Sequence, residues 1–386
     1  MFAKLITKYN TPSKLGLLLL IPLASLTSHT WSPIPPTMVL LLGAIACWLF
    51  LQMENVTHAH SNGAQPNSQF SIFNFQFSII LVFGIFVFYI FATQYFMEAP
   101  FRRYMGAMLA PLYLILILVF SEQVSGDFLK TLGRKFIRYS LIILCFETII
   151  RYAYSINQII QSPFGLTSFY QFKTGSPMYS DSNGVALHLV LLLFFTLWWS
   201  NTHKESLKKE LFLMLGLIAL TFYRASIPAV GVGLVYFWFF RDLNWRKSLI
   251  VLSSLVCVVI LGVFALKQVI LDDSFQSKFL ILNESLAYLQ SMDLKNILFG
   301  IGISGTDIIM THSAHNYFLV FLMETGVFGL TLLCATLIAL VKVTNGKAMI
   351  VLLPFLVQTL SASNLFIPYF YVIMALMIVC REANSR

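Results

Sequence analysis

The sequence predicts an all-α protein that crosses a membrane about twelve times, within a range of ten to twelve spans. Of its 386 residues, 58% are hydrophobic and only 11% are charged, whereas soluble domains average about 45–50% apolar and about 25% charged residues. The mean hydropathy is +0.80. Apolar segments close to the roughly 20 residues that cross a bilayer as a helix recur along the whole chain. Residues 1–386 are therefore interpreted as a single transmembrane domain in contact with a lipid bilayer.

Twelve apolar segments, several of them bounded by basic or aromatic residues, support this prediction. In chain order they are 15–31, 37–53, 75–93, 105–121, 137–160, 184–200, 209–224, 226–240, 248–270, 316–341, 348–364 and 366–380. Lys4, Lys8 and Lys14 precede the first segment, and no small-x-small cleavage site follows it. An uncleaved first helix with a cytoplasmic N-terminus is therefore expected.

The basic residues follow this topology. Most of the 25 Lys and Arg residues fall in loops on the cytoplasmic side, as the positive-inside rule requires. The net charge of +9 is thus explained by topology, and no basic stripe with interleaved aromatic residues indicates a nucleic-acid partner. The remaining cations lie on the outer side or within spans, which suggests an anionic partner there. They are Arg102, Arg103, Arg151, Lys173, Arg224, Lys267, Lys278 and Lys295.

The first large outer loop covers residues 161–183 and ends in a polar cluster before the next span. Asp181 and Asn183 are candidate substrate-binding residues there. Capping of the following helix by an Asp or Ser of this cluster is an equally complete explanation, because such a side chain accepts hydrogen bonds from free helical N–H groups. A second feature is the tight connection around Arg224, where a guanidinium could face an inward concavity or simply extend to the interface.

The second large outer loop covers residues 271–315. Its residues 277–291 alternate at a helical period, which predicts an amphipathic helix on the outer surface. The apolar side of that helix would carry Phe279, Leu282, Leu286 and Leu289.

Charged residues also occur inside spans. Glu147 and Arg151 are four residues apart on one helix face, which is the simplest way to neutralise two charges in a membrane. Glu324 lies about two turns into the tenth span and needs a partner, for which Arg151 is a candidate. A proton relay through these three residues is the alternative, because buried ionisable groups also mark ion pathways.

The stretch that runs from His312 to Asn316 brings two imidazoles to the start of a strongly apolar segment. If Ser313 caps the tenth span, His315 lies in the first helical turn, where the positive helix end disfavours imidazolium. A neutral imidazole at pH 7 is a competent general base. A structural His315 is the alternative, and His312 would orient a partner or be solvated.

Other reaction classes lack their motifs. The sequence has no H-E-x-x-H, no Cys/His metal spacing, no G-x-S-x-G and no G-x-x-x-x-G-K, which argues against metalloproteases, serine hydrolases and ATP-driven pumps. Outer-side aspartates are scattered, so neither a metal ion nor another cofactor is predicted.

Three short segments together resemble a segment of the bacterial O-antigen polymerase and O-antigen ligase family. They are Asn296–Gly302, His315–Asn316 and the run Glu324–Gly329 with its Gly-x-x-Gly. Tyr223–Ser226 is similar to the family's Ser-Arg turn, with Tyr223 at a position where the family often has Ser. Asp181–Gly184 is similar to its Asp-x-Asn approach to a helix. The resemblance covers roughly residues 160–335.

The resemblance implies a multi-pass, metal-independent, inverting glycosyltransferase of GT-C type in the bacterial inner membrane, with its active site facing the periplasm. Donor and acceptor would be oligosaccharides carried on undecaprenyl diphosphate. The loop 271–315 would carry the catalytic segment, with His315 as base. Asn316 would hold the acceptor or the imidazole, and Arg224 would bind the diphosphate. The further substrate-binding candidates are Arg102, Arg103, Arg151, Lys278, His312, Asp181 and Asn183.

The family contains two activities. A polymerase transfers glycan to another lipid-linked repeat unit, and a ligase transfers it to lipid A core. The modest size of the loop 271–315 favours a polymerase, for which a chain-length regulator is an optional partner. The His-Asn to Gly-x-x-Gly spacing suits a ligase. A proton-coupled transporter or glycan flippase is the alternative outside this family.

Overall fold

The computed structural model describes residues 12–26, 36–62, 70–97, 101–161, 172–173, 175–179, 181–240, 244–250, 273–306, 316–361 and 367–383. Within these ranges all regular structure is α-helical, and they contain no strand. The all-α prediction is confirmed for this part of the chain. Residues 251–272, which hold most of the predicted ninth span, lie outside the described residues.

The principal helices differ widely in length. In chain order they are α1 (Pro12–Leu20), α2 (Pro36–Asn62), α3 (Phe70–Phe96), α4 (Phe101–Ser121), α5 (Gly126–Gln161), α6 (Ser182–His203), α7 (Lys208–Leu220), α8 (Ser226–Phe239), α9 (Asp273–Ser291), α10 (Leu294–Phe299), α11 (Tyr317–Val343), α12 (Met349–Thr359) and α13 (Pro368–Ala383).

Several helices have the length and composition of membrane spans. Among the described residues, three are long and apolar enough to cross a bilayer: Ser78–Phe96 of α3, all of α6 and all of α11. Shorter apolar helices of 10–17 residues occur in α2, α4, α8, α12 and α13. Most of the predicted spans overlap one of these helices, which is consistent with a membrane protein.

The first predicted span, 15–31, is not a continuous helix. Helix α1 ends at Leu20, and residues 22–25 form a turn. The cause is Pro22, whose ring disfavours helical geometry in the residue before it. The seventh predicted span, 209–224, also ends early, because α7 stops at Leu220 and Phe222 adopts a left-handed φ of 51°.

The chain forms two compact units. Unit 1 comprises Met1–Gln76, Leu109–Val230 and Pro368–Arg386, and unit 2 comprises Phe77–Met108 and Gly231–Ile367. Helix α6 is the centre of unit 1, because 83% of its most apolar stretch is buried. It packs against α5, α7 and α13. Gly133 of α5 leaves no room for a Cβ beside the Trp199 ring, and such close contacts drive helix association where lipid removes the hydrophobic effect.

Helix α11 is the framework of unit 2. Its Phe321 ring lies 6.2 Å from the Phe86 ring of α3, measured between centroids. The Tyr89 hydroxyl of α3 donates to the Thr325 carbonyl at 2.7 Å. Helix α9 adds Ile281 to a buried cluster with Val320 of α11, and α10 and α12 also pack against α11.

Candidate functional site

The loop before α6 is anchored by a buried arginine. Arg151 has no exposed surface, and its Nε lies 3.1 Å from the Glu147 carboxylate one turn earlier. Its Nη1 donates to the Phe172 carbonyl. The predicted Glu147–Arg151 pair is therefore confirmed. The full burial of Arg151 favours loop anchoring over substrate contact.

The anchored loop carries Lys173 next to Arg224. The Lys173 carbonyl accepts from the Ser182 backbone N–H at 2.8 Å, so the backbone of this residue is fixed to the start of α6. Burial lowers the pKa of the Lys173 amine, and the Arg224 charge lowers it further, while Asp181 opposes both. Lys173 of unit 1 thus interacts electrostatically with both Arg224 and Asp181. Lys173 was predicted only as one outer cation among several, because its proximity to Arg224 arises from the fold.

The turn that carries Arg224 is itself held from two sides. The Ser182 hydroxyl donates to the Thr221 carbonyl at 2.8 Å, and the Tyr152 hydroxyl donates to the Leu220 carbonyl at 2.8 Å. These bonds satisfy carbonyls that the end of α7 leaves unpaired within the helix. Helix α8 then begins at Ser226, as the sequence indicated, and the Arg224 side chain is exposed.

The polar cluster at 181–183 caps α6. Asp181 is the N-cap residue, and its carboxylate accepts from the backbone N–H groups of Asn183 at 3.0 Å and Gly184 at 3.3 Å. The Asn183 side-chain amide donates to the same carboxylate at 2.6 Å. The capping interpretation is confirmed. A direct substrate contact by Asp181 or Asn183 stays a prediction.

Helix α11 starts at Tyr317, two residues after the predicted general base. Asn316 is its N-cap, and the Asn316 Oδ1 accepts from the Leu319 backbone N–H at 3.2 Å. The expectation that Ser313 caps this helix is wrong, since Asn316 does so. His315 accordingly precedes the N-cap instead of lying in the first turn. His312 and His315 themselves lie outside the described residues.

The helix is then interrupted at Gly326, which adopts φ 69° and ψ −175°. A Cβ at this position would collide with the Leu298 carbonyl of α10, and one on Gly329 would collide with the Thr325 side chain. Both glycines thus lie where a larger residue would not fit. The break itself was not predicted, because a Gly in an apolar run is compatible with an unbroken helix.

Segment 300–306, which follows α10, lies across this break and is called the clasp segment here. The backbone N–H groups of Ile301 and Gly302 donate to the carbonyls of Met323 and Glu324, at 2.9 and 3.1 Å. The Glu324 Oε1 accepts from the Ser304 N–H at 2.8 Å. These contacts give Glu324 donors within unit 2, whereas the sequence offered Arg151 as its partner.

Comparison with known proteins gives no family assignment. No protein-family profile matches the chain, and no curated protein sequence does. What the site can do is therefore inferred from its own residues.

The helix predicted at 277–291 is present as α9, and one of its faces packs within unit 2. The structure buries Ile281 and Ser285, with Tyr288, Met292 and the predicted apolar residue Leu289 partly buried beside them. Leu286, expected on the apolar side, is 45% exposed. The predicted position of the apolar side at the membrane surface stays a prediction.

Three further candidates can be placed only by their backbone. Arg102 and Arg103 belong to the first turn of α4, and Lys278 belongs to α9. Their side chains lie outside the described part of the structure. Within that part, no group of three His, Cys, Asp or Glu side chains is arranged to hold a metal ion.

The described residues thus supply two elements of chemistry. In unit 1, the Lys173 amine and the Arg224 guanidinium are close enough to interact electrostatically, and both groups can bind an anion. In unit 2, the clasp segment and the Asn316 cap fix the backbone on both sides of residues 307–315, which contain the two histidines.

Proposed function

We propose that this chain is a glycosyltransferase of the bacterial inner membrane, an O-antigen or surface-polysaccharide polymerase that joins repeat units carried on undecaprenyl diphosphate. The juxtaposition of Lys173 and Arg224 carries this proposal. Two cations held close together repel each other, and an anionic ligand relieves that repulsion. A lipid diphosphate bound at the end of a membrane helix meets this requirement.

The reaction needs such cations because its leaving group is a diphosphate. As the glycosidic C–O bond to the lipid breaks, negative charge develops on the departing phosphate oxygens. Fixed donors aimed at developing charge lower the barrier. Arg224 can hold two oxygens at once through its planar guanidinium, and Lys173 adds a point charge beside it.

His315 supplies the other half of the proposed reaction. A hydroxyl of the acceptor sugar attacks the anomeric carbon of the donor in one displacement, and the configuration inverts. The hydroxyl proton passes to the His315 imidazole, while the bonding electron pair leaves with the lipid diphosphate. Proton removal of this kind contributes about 10²–10⁴-fold in rate.

Asn316 supports His315 from the next position. Because its Oδ1 accepts from the Leu319 N–H, its side-chain amide N–H₂ is the group assigned to the acceptor sugar or to the imidazole. The cap also fixes where the backbone enters α11. His312 is assigned a supporting position in the same segment.

The activity is tested with the purified full chain in lipid nanodiscs and a synthetic undecaprenyl-diphosphate-linked repeat unit as the sole substrate. A polymerase produces a ladder of glycan lengths on the lipid carrier, and His315→Ala abolishes the ladder. Arg134→Ala is a matched control, because Arg134 is an exposed arginine paired with Glu205 and has no place in the proposed site.

Other products would contradict the proposal in identifiable ways. Glycan that reaches only added lipid A core would identify a ligase. Movement of the lipid-linked unit across the bilayer without a new glycosidic bond would identify a transporter or flippase. A complete ladder from His315→Ala would exclude His315 as the base.

A further inference from the structure

A break in the middle of a membrane helix leaves backbone groups that need new partners, since lipid offers none. In α11 the break occurs at Gly326, and the clasp segment supplies partners. Its Ile301 and Gly302 N–H groups donate to the Met323 and Glu324 carbonyls.

Two glycines make this contact close enough. A Cβ on Gly300 would overlap the Glu324 carbonyl, and a Cβ on Gly326 would overlap the Leu298 carbonyl. Both obstacles are backbone atoms, which cannot rotate away as a side chain can. Gly300 and Gly326 also have φ values of 83° and 69°, a region that glycine adopts without a Cβ clash.

The Glu324 side chain adds two hydrogen bonds to this contact through its Oε1 atom. Its Oε1 accepts from the Ser304 backbone N–H at 2.8 Å and from the Thr306 hydroxyl at 2.6 Å. Ser304 has a φ of 63°, an unfavourable conformation for a residue with a Cβ. The bond to Glu324 stabilises that conformation. On the other side of the segment, the Gln94 side-chain carbonyl accepts from the Ile303 N–H.

The clasp segment leads directly to the proposed catalytic stretch. Thr306 and Asn316 flank residues 307–315 in sequence, and both are attached to α11: Thr306 through Glu324, and Asn316 as its N-cap. Glu324 and Asn316 are eight residues apart, about 12 Å of helix rise. A displacement of Thr306 would therefore move one end of the stretch that contains His312 and His315.

We propose that Glu324 is a positioning residue: its Oε1 holds Ser304 and Thr306 across the Gly326 break and thereby fixes the approach to the segment that carries His315. Its effect on catalysis rests on the proposed function, whereas its effect on the clasp segment does not. In this assignment Glu324 accepts hydrogen bonds and transfers no proton.

Two substitutions distinguish a positioning role of Glu324 from a role in a proton relay or as a catalytic carboxylate. Glu324→Gln keeps a carbonyl oxygen that can accept both bonds but cannot relay protons as a carboxylate does. Glu324→Leu has a similar size and no acceptor. Positioning predicts that the Gln variant behaves like the wild type and the Leu variant does not. A relay predicts that both variants fail alike.

Hydrogen–deuterium exchange of the purified chain in nanodiscs measures the clasp without any need for activity. Glu324→Leu should raise the exchange rate of amides in 300–306 by about tenfold or more, and Glu324→Gln should leave it within about threefold of the wild type. Amides of α6 in unit 1 serve as the internal reference. Unchanged exchange in Glu324→Leu, or equal acceleration in both variants, would overturn the proposal.

A milder pair of variants covers the case in which Glu324→Leu does not fold. Thr306→Val removes only the hydroxyl donor and should accelerate exchange in 300–306 by several-fold. Thr331→Val is the matched control, because Thr331 is an exposed residue of α11 whose hydroxyl bonds only within its own helix, to the Val327 carbonyl. Equal behaviour of the two threonine variants would contradict the clasp.

The polymerisation assay then tests the catalytic consequence. Glu324→Gln should keep most of the wild-type rate, and Thr306→Val should lower kcat with little change in KM. Loss of activity in Glu324→Gln with normal exchange in 300–306 would instead make Glu324 a proton-transfer residue. If the wild type itself makes no polymer, the proposed function fails while the exchange data still decide the clasp.

Discussion

Residues 172–173 of the loop before α6, in unit 1, and the clasp segment at 300–306, in unit 2, are each held by a buried charged side chain. In unit 1 the buried charge is a cation that donates hydrogen bonds, and in unit 2 it is an anion that accepts them. Arg151 donates to a loop carbonyl and is paired with Glu147, whereas Glu324 accepts from a loop N–H and a hydroxyl. The loop at 172–181 also presents Lys173 beside Arg224.

This difference separates two uses of charge in a membrane protein. The fully buried Arg151 and the nearly buried Glu324 are engaged by the backbone that they hold, so we assign them to positioning. The half-buried Lys173 and the exposed Arg224 can reach a ligand, so we assign them to binding. A sequence reading that treats every intramembrane charge as a relay site does not make this distinction.

The largest effect should come from His315, which belongs to neither group. His315→Ala should lower the polymerisation rate by about 10²–10⁴-fold, because the acceptor hydroxyl loses its base. Hydrogen exchange in 300–306 should not change. His312→Ala should have a smaller effect, and a larger loss from His312 than from His315 would exchange their proposed assignments.

Arg151→Met should lower the stability of the protein, which tests the positioning role of Arg151. Removal of one partner leaves the Glu147 carboxylate buried and unpaired, at a cost of about 3–5 kcal/mol in the free energy of unfolding. Chemical denaturation in detergent micelles measures this change. The double variant Glu147→Leu/Arg151→Met should recover much of it. An Arg151→Met variant of normal stability that fails to bind lipid diphosphate would move Arg151 to the binding group.

Arg224 should affect turnover and not stability. Arg224→Ala should lower kcat/KM by about 10²-fold, the scale of losing one fixed donor to a developing negative charge. Arg224→Lys should recover only part of the loss, because an ammonium does not hold two oxygens in a fork. The thermal midpoint should stay near that of the wild type. A large fall in the midpoint with normal turnover would place Arg224 among the structural charges.

The smallest effect concerns pH and Lys173. Its pKa is lowered from 10.5, by burial first and then by Arg224. An anion binds the protonated, positively charged amine. The affinity for a lipid diphosphate is therefore highest below this pKa and falls as pH rises through it. The fall should therefore begin below the ordinary lysine range. Titration of affinity against pH checks this, and Lys173→Met should remove the dependence, with a loss of about threefold at neutral pH.

Much of the fold follows from composition and periodicity. Apolar runs predicted the positions of α6, α8 and α11 closely, because lipid requires every backbone group in a span to be paired within a helix. Helix interruptions were harder to predict. Pro22 ends α1 through a local rule that the sequence contains, but the break at Gly326 depends on the clasp segment, which contacts it from a distant part of the chain.

For the candidate site, too, local features could be predicted from the sequence and contacts between distant residues could not. The Glu147–Arg151 pair and the cap at Asp181 depend on spacings of four residues or fewer, and the sequence indicated both. The electrostatic interaction of Lys173 with Arg224 joins residues from separate loops, so no local pattern reveals it. The cap at Asn316 could have been found, since Asn is among the preferred N-cap residues.

Direct binding of the proposed leaving group is the measurement that tests this account most directly. The affinity of a short-chain polyprenyl diphosphate for the full chain in nanodiscs is compared among the wild type, Lys173→Gln/Arg224→Gln and Glu324→Gln. The double variant should bind at least about tenfold more weakly, while Glu324→Gln should bind like the wild type. Wild-type affinity in the double variant would show that these cations do not hold the diphosphate.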